Sequence, residues 1–110
     1  MTNEQLALLL DPERKRPGWW VKQQKRVYTG PDWHASDDDC FRDWRPVLLA
    51  AGCWIAHYSD ESCRVYFMCQ PVIDSETYRA ATLAAIEELH TTKPELLREA
   101  IARVEGGANG

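Results

Sequence analysis

The 110-residue chain has no apolar run approaching the ~20 residues that a membrane-spanning helix requires. Its start, TNEQLALLLDP, has neither the basic stretch nor the small-residue cleavage site of a secretion signal, so a soluble, cytoplasmic protein in a reducing compartment is expected. There is no C-x-x-C pair and no glycine-rich phosphate loop. The alternating oxygen ligands and turn glycine of a calcium loop are missing as well. The four cysteines, Cys40, Cys53, Cys63 and Cys69, come closest to metal-site spacing in Cys53-x3-His57, Cys63-x5-Cys69 and His34-x5-Cys40, none of which is a zinc pattern. They are expected to be buried, reduced thiols, with no metal and no cofactor. A cysteine nucleophile can be drawn on paper with His57 or His34, but no strained elbow or oxyanion loop accompanies it, so no enzyme is expected.

What is present points to a folded domain. Hydrophobic residues make up 45% of the chain and include five Trp, enough for a core despite 27% charged residues. Charge is uneven. Residues 1–30 carry six Lys/Arg against three Asp/Glu, residues 31–62 two against seven, and residues 63–110 five against seven. Such a dipolar chain has no overall bias toward nucleic acid.

The periodicity predicts an α+β domain over residues 1–105 with a disordered tail at 106–110: a small antiparallel sheet of two or three strands, centred on a hairpin at 53–70, packed with helices in a sandwich-like way. Thr2 and Gln5 form a capping box ahead of Leu6, Leu9 and Leu10, and Asp11-Pro12 ends that helix. A polar connector (12–18) leads to WWVKQQKRVYTG (19–30), read as one strand with an imperfect alternation. From Asp37 to Gly52 the set Cys40, Phe41, Trp44, Val47, Leu48 and Ala51 follows one helical face. Pro46 leaves two readings there, a kinked helix from about Asp37 or a helix capped by Asp43 with Pro46 in its first turn; the continuous face favours the kink.

CWIAHYS (53–59) and CRVYFMCQ (63–70) read as a hairpin turning at Asp60-Glu61, with Ile55 facing either Val65 and Phe67 or Tyr66 and Met68 according to register. With apolar residues on both faces, it is expected to have layers above and below. Pro71 should end the second strand, Asp74 or Ser75 should cap a helix burying Tyr78, Ala81, Thr82, Ala85, Ile86 and Leu89, and a Thr92–Glu95 capping box should start a last helix striped by Leu96, Leu97, Ala100, Ile101 and Val104. Trp44, Leu48, Ile55, Phe67, Ile86 and Leu89 are the expected core cluster.

Two stretches stand out as candidate binding surfaces. TGPDWHASDDDCFRDW (29–44) holds five carboxylates in sixteen positions, with Asp37, Asp38 and Asp39 where a helix begins and Ser36 or Asp37 as its N-cap. Carboxylates in a first turn are favoured by the helix dipole, which is the structural use of such residues. The functional use is an acidic surface for a partner protein, formed by Asp32, Asp37, Asp38, Asp39, Asp43, Asp60 and Glu61. ERKRPGWWVKQQKRVY (13–28) sets Arg14, Lys15, Arg16, Lys22, Lys25 and Arg26 around Trp19 and Trp20, which could track and stack a nucleic acid, or could be a strand with a core-facing Trp and snorkelling basic chains.

The order of TGPDWHASDDD, an amphipathic helix through Trp44 and Leu48, the aromatic hairpin CWIAHYS/CRVYFMCQ and the alanine-rich YRAATLAAIEEL resembles the small phage-encoded ABA sandwich domains over residues 29–90, although the DDD and Pro46 depart from that pattern. The resemblance implies a phage or prophage origin and a non-enzymatic role. The expected function is therefore an accessory protein that binds and inhibits or redirects a host protein, for example a defence complex such as a CRISPR effector. A nucleic-acid-binding module built on the Trp19/Trp20 segment is the alternative.

Overall fold

A computed structural model describes residues 1–22, 26–58, 62–68 and 70–108, without the side chains of residues 22, 26 and 106–108. Lys25, Asp60, Glu61 and Cys69 lie outside the described residues, as do the side chains of Lys22 and Arg26. The fold is α+β, with five helices and two small antiparallel sheets among the described residues.

Helix α1 (Asn3–Leu10) starts in the expected capping box: the Thr2 hydroxyl accepts from Gln5 N–H and the Gln5 side chain accepts from Thr2 N–H. It buries Leu6, Ala7 and Leu10. The single strand expected at 19–30 is instead a two-stranded sheet, β1 (Trp20–Lys22) with β2 (Arg26–Tyr28), pairing Trp20 with Tyr28 and Val21 with Val27. Folding back puts Trp20 and Tyr28 on one face, where each packs, and leaves Val21 and Val27 outside; the polar QQK in the middle of the segment supplies nothing for a continuous strand to bury.

Helices α2 (Asp37–Asp43) and α3 (Arg45–Ala50) occupy the predicted amphipathic stretch, and Ser36 is the N-cap of α2, its hydroxyl accepting from Asp39 N–H. The break falls at Trp44, which stays right-handed helical in conformation (φ −106°, ψ −27°), while Trp44 N–H still bonds Cys40 O and Leu48 N–H bonds Trp44 O. Pro46 therefore kinks one continuous helical path within the first turn of α3, and Asp43 is not a cap. Gly52, at φ +82°, turns the chain out of α3.

The second sheet has the order β3 (Cys53–His57), β4 (Cys63–Phe67), β5 (Gln70–Ser75). The register pairs Ile55 with Val65 and Cys53 with Phe67, so Cys53, Ile55, His57, Cys63, Val65 and Phe67 share the inner face. The expectation that Pro71 ends the second strand is corrected: the chain turns at Met68 and returns as β5, with Pro71 inside it and a register shift against Val65/Tyr66. Proline is tolerated there because β5 is an edge strand. Asp74 and Ser75 are consequently strand residues, and Thr77 caps α4 (Tyr78–Thr92), its hydroxyl accepting from Ala80 N–H.

Thr92 does not open the last helix. It ends α4, donating its hydroxyl to Glu88 O, and α5 runs from Pro94 to Ala108, into the segment expected to be a tail. Helix α4 packs on the inner face of the three-stranded sheet, and α5 packs on α3 and α4 with α1 beyond it. The expected second layer over the sheet is not what covers the chain: Trp54 and Tyr58 on the opposite face are exposed. Of the six predicted core residues, Trp44, Leu48, Ile86 and Leu89 are buried, whereas Ile55 and Phe67 are half-buried against the cluster. Cys40, Cys53, Cys63 and Trp33 are buried in the same cluster, with Leu6, Val47, Val65 and Leu97 among its other members.

Candidate functional site

The acidic stretch is built largely into the fold. Asp37, at the start of α2, accepts from the backbone N–H of Arg79 (2.9 Å) and from its guanidinium (3.3 Å), which locks the start of α2 to the start of α4. Asp39 and Asp43 both pair with Arg42, at 3.1 and 2.8 Å, and Asp43 also accepts the indole N–H of Trp33. Asp32 accepts from the Asn3 side chain of α1 and from His34 N–H. Asp38 alone of the five is exposed and without a hydrogen-bond or ion-pair partner among the described residues.

The described basic side chains of the other segment are engaged as well. Arg16 stacks over Trp19 (4.5 Å to the ring centroid) and pairs with Glu105, Arg14 lies over Trp20 (5.5 Å), and Lys15 pairs with Glu13. Trp19 meets Trp33 edge-on at 5.4 Å, and Trp33 meets Trp44 edge-on at 5.9 Å, so this aromatic chain leads into the core rather than onto a stacking platform. Gly30 is forced by that packing: a Cβ there would lie 2.8 Å from the Tyr28 ring.

The organiser of the segment is Asp11, whose sequence context marks only a helix end. It is 7% exposed and accepts from Lys15 N–H (3.0 Å), Arg16 N–H (2.9 Å) and Trp20 Nε1–H (2.7 Å). Burial alone would raise its pKa, but these three hydrogen bonds and the Arg16 charge outweigh it and hold the carboxyl below its ordinary value. The sequence signal was an acid four and five residues ahead of amides in a Pro-bounded connector.

The described thiols, Cys40, Cys53 and Cys63, are poorly suited to nucleophilic work. Cys63 Sγ does meet His57 Nδ1 at 3.6 Å across β3 and β4, the pairing drawn from the sequence as a cysteine nucleophile. Burial, and secondarily the Asp37 charge, push that thiol up, the reverse of what an activated nucleophile requires. Burial likewise raises Cys40 to about 12, helped by Asp37, Asp39 and Asp43, and Cys53 to about 11. Among the described residues, no three His, Cys, Asp or Glu side chains converge as metal ligands, and no helix is long and apolar enough to cross a membrane.

The outer face of the three-stranded sheet carries a further group of side chains that neither candidate stretch contains. Trp54 of β3 and Tyr66 of β4 are directly paired, their rings stacked 4.4 Å apart at 10°, and Trp54 remains 44% exposed. Tyr58 bonds Tyr66 hydroxyl to hydroxyl (2.6 Å) and lies under Arg64, which Asp74 holds from β5. The signal was available: a hairpin apolar on both faces, in a chain too short to cover both. Compared with protein-family models, with curated proteins and with solved structures, the chain finds no match.

Proposed function

We propose that this protein acts by binding another protein, and that the aromatic outer face of the β3–β5 sheet is its contact surface. The observation that carries this reading is the Trp54–Tyr66 stack left at the surface, with exposed Tyr58 bonded to Tyr66 through its hydroxyl. Contiguous exposed apolar area of this kind marks interaction sites, and Trp and Tyr are the residues that dominate interface energetics. The acidic lead-in and the basic Trp19/Trp20 segment support it from the other side, since Asp32, Asp37, Asp39 and Asp43 and the described Arg14, Lys15 and Arg16 are already spent on contacts within the chain. The setting we assign is the one that the resemblance over residues 29–90 implies: a phage or prophage accessory protein that inhibits or redirects a host protein, with a defence complex as the leading candidate. Such a role needs a surface and no catalytic set.

Affinity capture of the tagged chain from host cells, followed by mass spectrometry, tests this when wild type is run beside Trp54→Ala and Tyr66→Ala. A partner enriched by wild type and lost with both variants is expected. Retention by both variants overturns the assigned face. Titration with single-stranded and duplex DNA and RNA at near-physiological salt is the counter-test: micromolar binding abolished by changing Trp20, Lys22 and Arg26 would replace protein binding with nucleic-acid binding.

A further inference from the structure

The three-stranded sheet has two edges, and they are built differently. β5 carries Pro71, a register shift and Asp74, all devices that discourage pairing with a further strand. β3, Cys53–His57, carries no proline, no lysine and no bulge. Its free hydrogen-bonding groups follow from the register. Tyr58 N–H bonds Ser62 O (3.0 Å) and Met68 N–H bonds Gly52 O (3.1 Å), so Gly52, Trp54, Ala56 and Tyr58 direct their backbone groups at β4. In an antiparallel ladder the alternate residues point the other way. Cys53, Ile55 and His57 therefore present N–H and C=O outward, and no backbone partner meets them among the described residues.

Alongside this edge runs a groove of about 330 Å³ between β3 and the α2–α3 wall, lined by Phe41, Arg45, Leu49, Trp54, His57 and Tyr78 among others. Phe41 and Leu49 are exposed despite their size. Arg45 rests over the Phe41 ring at 4.9 Å and has no carboxylate partner among the described residues, in a chain of net charge −4. Among the described residues no carboxylate lines the groove.

We propose that β3 accepts an extended segment of the partner protein as an added strand, and that this segment carries an acidic side chain opposite Arg45 flanked by apolar ones. Strand addition supplies affinity through main-chain hydrogen bonds at Cys53, Ile55 and His57, and the groove supplies selectivity through alternate side chains. The occupant is a bare strand rather than a second copy of the chain, because a second copy would bring its own α2–α3 wall and its own Arg45 cation into the same groove. The inference rests on the protein-binding reading above and specifies how that partner is gripped.

The test uses the full chain, ¹⁵N-labelled, and two short acetylated, amidated peptides that alternate Val and Thr, one with a central Glu and one with a central Lys. The Glu peptide is expected to shift the amides of Cys53, Ile55 and His57 and slow their hydrogen exchange, leaving the ladder amides of Trp54 and Ala56 little changed. The Lys peptide should bind roughly tenfold more weakly, and Arg45→Glu should reverse that preference. Ile55→Pro removes an outward N–H without touching the β4 ladder and should abolish binding; should that variant not fold, the Arg45→Glu reversal still decides. No change at the three edge amides, or equal binding of both peptides, overturns the proposal. So does a concentration-dependent dimer in sedimentation that protects the same amides without peptide, which would assign the edge to a second copy. If neither peptide binds while Tyr66→Ala still abolishes partner capture, the strand-addition proposal falls and the protein-binding reading stands; if the peptides behave as expected and capture survives Tyr66→Ala, the assigned face falls and the edge remains.

Discussion

The five tryptophans divide between two regions that use an aromatic ring in opposite ways. Trp19, Trp20, Trp33 and Trp44 form a continuous set with Tyr28 in the N-terminal half, their faces covered by one another and by Arg14 and Arg16. The indole N–H of Trp20 reaches Asp11 and that of Trp33 reaches Asp43. Trp54 sits on the sheet with one face stacked on Tyr66 and much of the rest in water. The first arrangement spends every ring on internal packing, which is how a 110-residue chain joins a short hairpin and a Pro-bounded connector to its helices. The second withholds two or three rings from the core. A ring that contributes little to folding and stays exposed is available to a partner, and this contrast is why the proposed contact surface lies away from the segment where charge and tryptophan density are highest.

Breaking the first region should cost most. Trp33 is fully buried at the junction of α1, α2 and the two-stranded sheet, so Trp33→Ala should destabilise the fold by about 3–5 kcal/mol, read from urea or thermal denaturation. Unchanged stability would show that the aromatic set is peripheral. Asp11→Ala comes next, at about 2–4 kcal/mol, because it leaves two backbone amides and an indole N–H without their acceptor. The same site has a pH signature. The folded-state pKa of Asp11 lies below its unfolded value near 3.9, so its contribution is fully present above about pH 4 and is lost as pH falls through the lowered value. Asp11→Asn should therefore flatten the acid limb of the stability curve, and parallel curves for wild type and variant would refute the assignment.

The difference between the regions was only partly legible in the residues. Capping chemistry at Thr2 and Ser36, the helical stripes of α3, α4 and α5 and the 53–70 hairpin all follow local rules that a single sequence carries, and the structure has each of them. Thr77 caps α4, two residues past Ser75 and three past Asp74, and Thr92 ends α4 instead of opening α5; the larger misreadings are non-local. Whether 19–30 is one strand or two, and whether Pro71 ends a strand or sits on an edge, depends on which strand lies alongside. Composition could name Asp37, Asp39 and Asp43 but could not say that Arg79 and Arg42 would neutralise them, since Arg79 is far along the chain. Nor could periodicity say which face of a two-sided hairpin would be left bare. That depends on how many helices the rest of the chain provides.

Trp54→Ala sharpens the contrast with Trp33. Loss of the stack with Tyr66 should cost only about 0.5–1.5 kcal/mol of stability, while partner capture is lost. A stability loss as large as that of Trp33→Ala would mean that the exposed ring is structural after all, and would remove the basis for separating the two regions.

The smallest effect is expected at Asp38, and it decides what the acidic lead-in is for. Reversing Asp37 would break the tie to Arg79, and reversing Asp39 or Asp43 would set a second cation against Arg42, so any change in binding at those positions is confounded with folding. Asp38 has no partner among the described residues and contributes only a first-turn charge to α2. Asp38→Lys should therefore cost under about 1 kcal/mol. Once a partner has been captured, its association rate can be measured with wild type and Asp38→Lys at low and at near-physiological salt. If the sheet face and the β3 edge carry recognition, the two rates agree at both salts. An acidic docking surface predicts instead a severalfold slower association for Asp38→Lys at low salt that fades as salt rises, because exposed charges are screened beyond roughly 10 Å at 0.1 M. That result would return the binding site to the helix entrance, with Asp38 as its one carboxylate not already engaged by the fold.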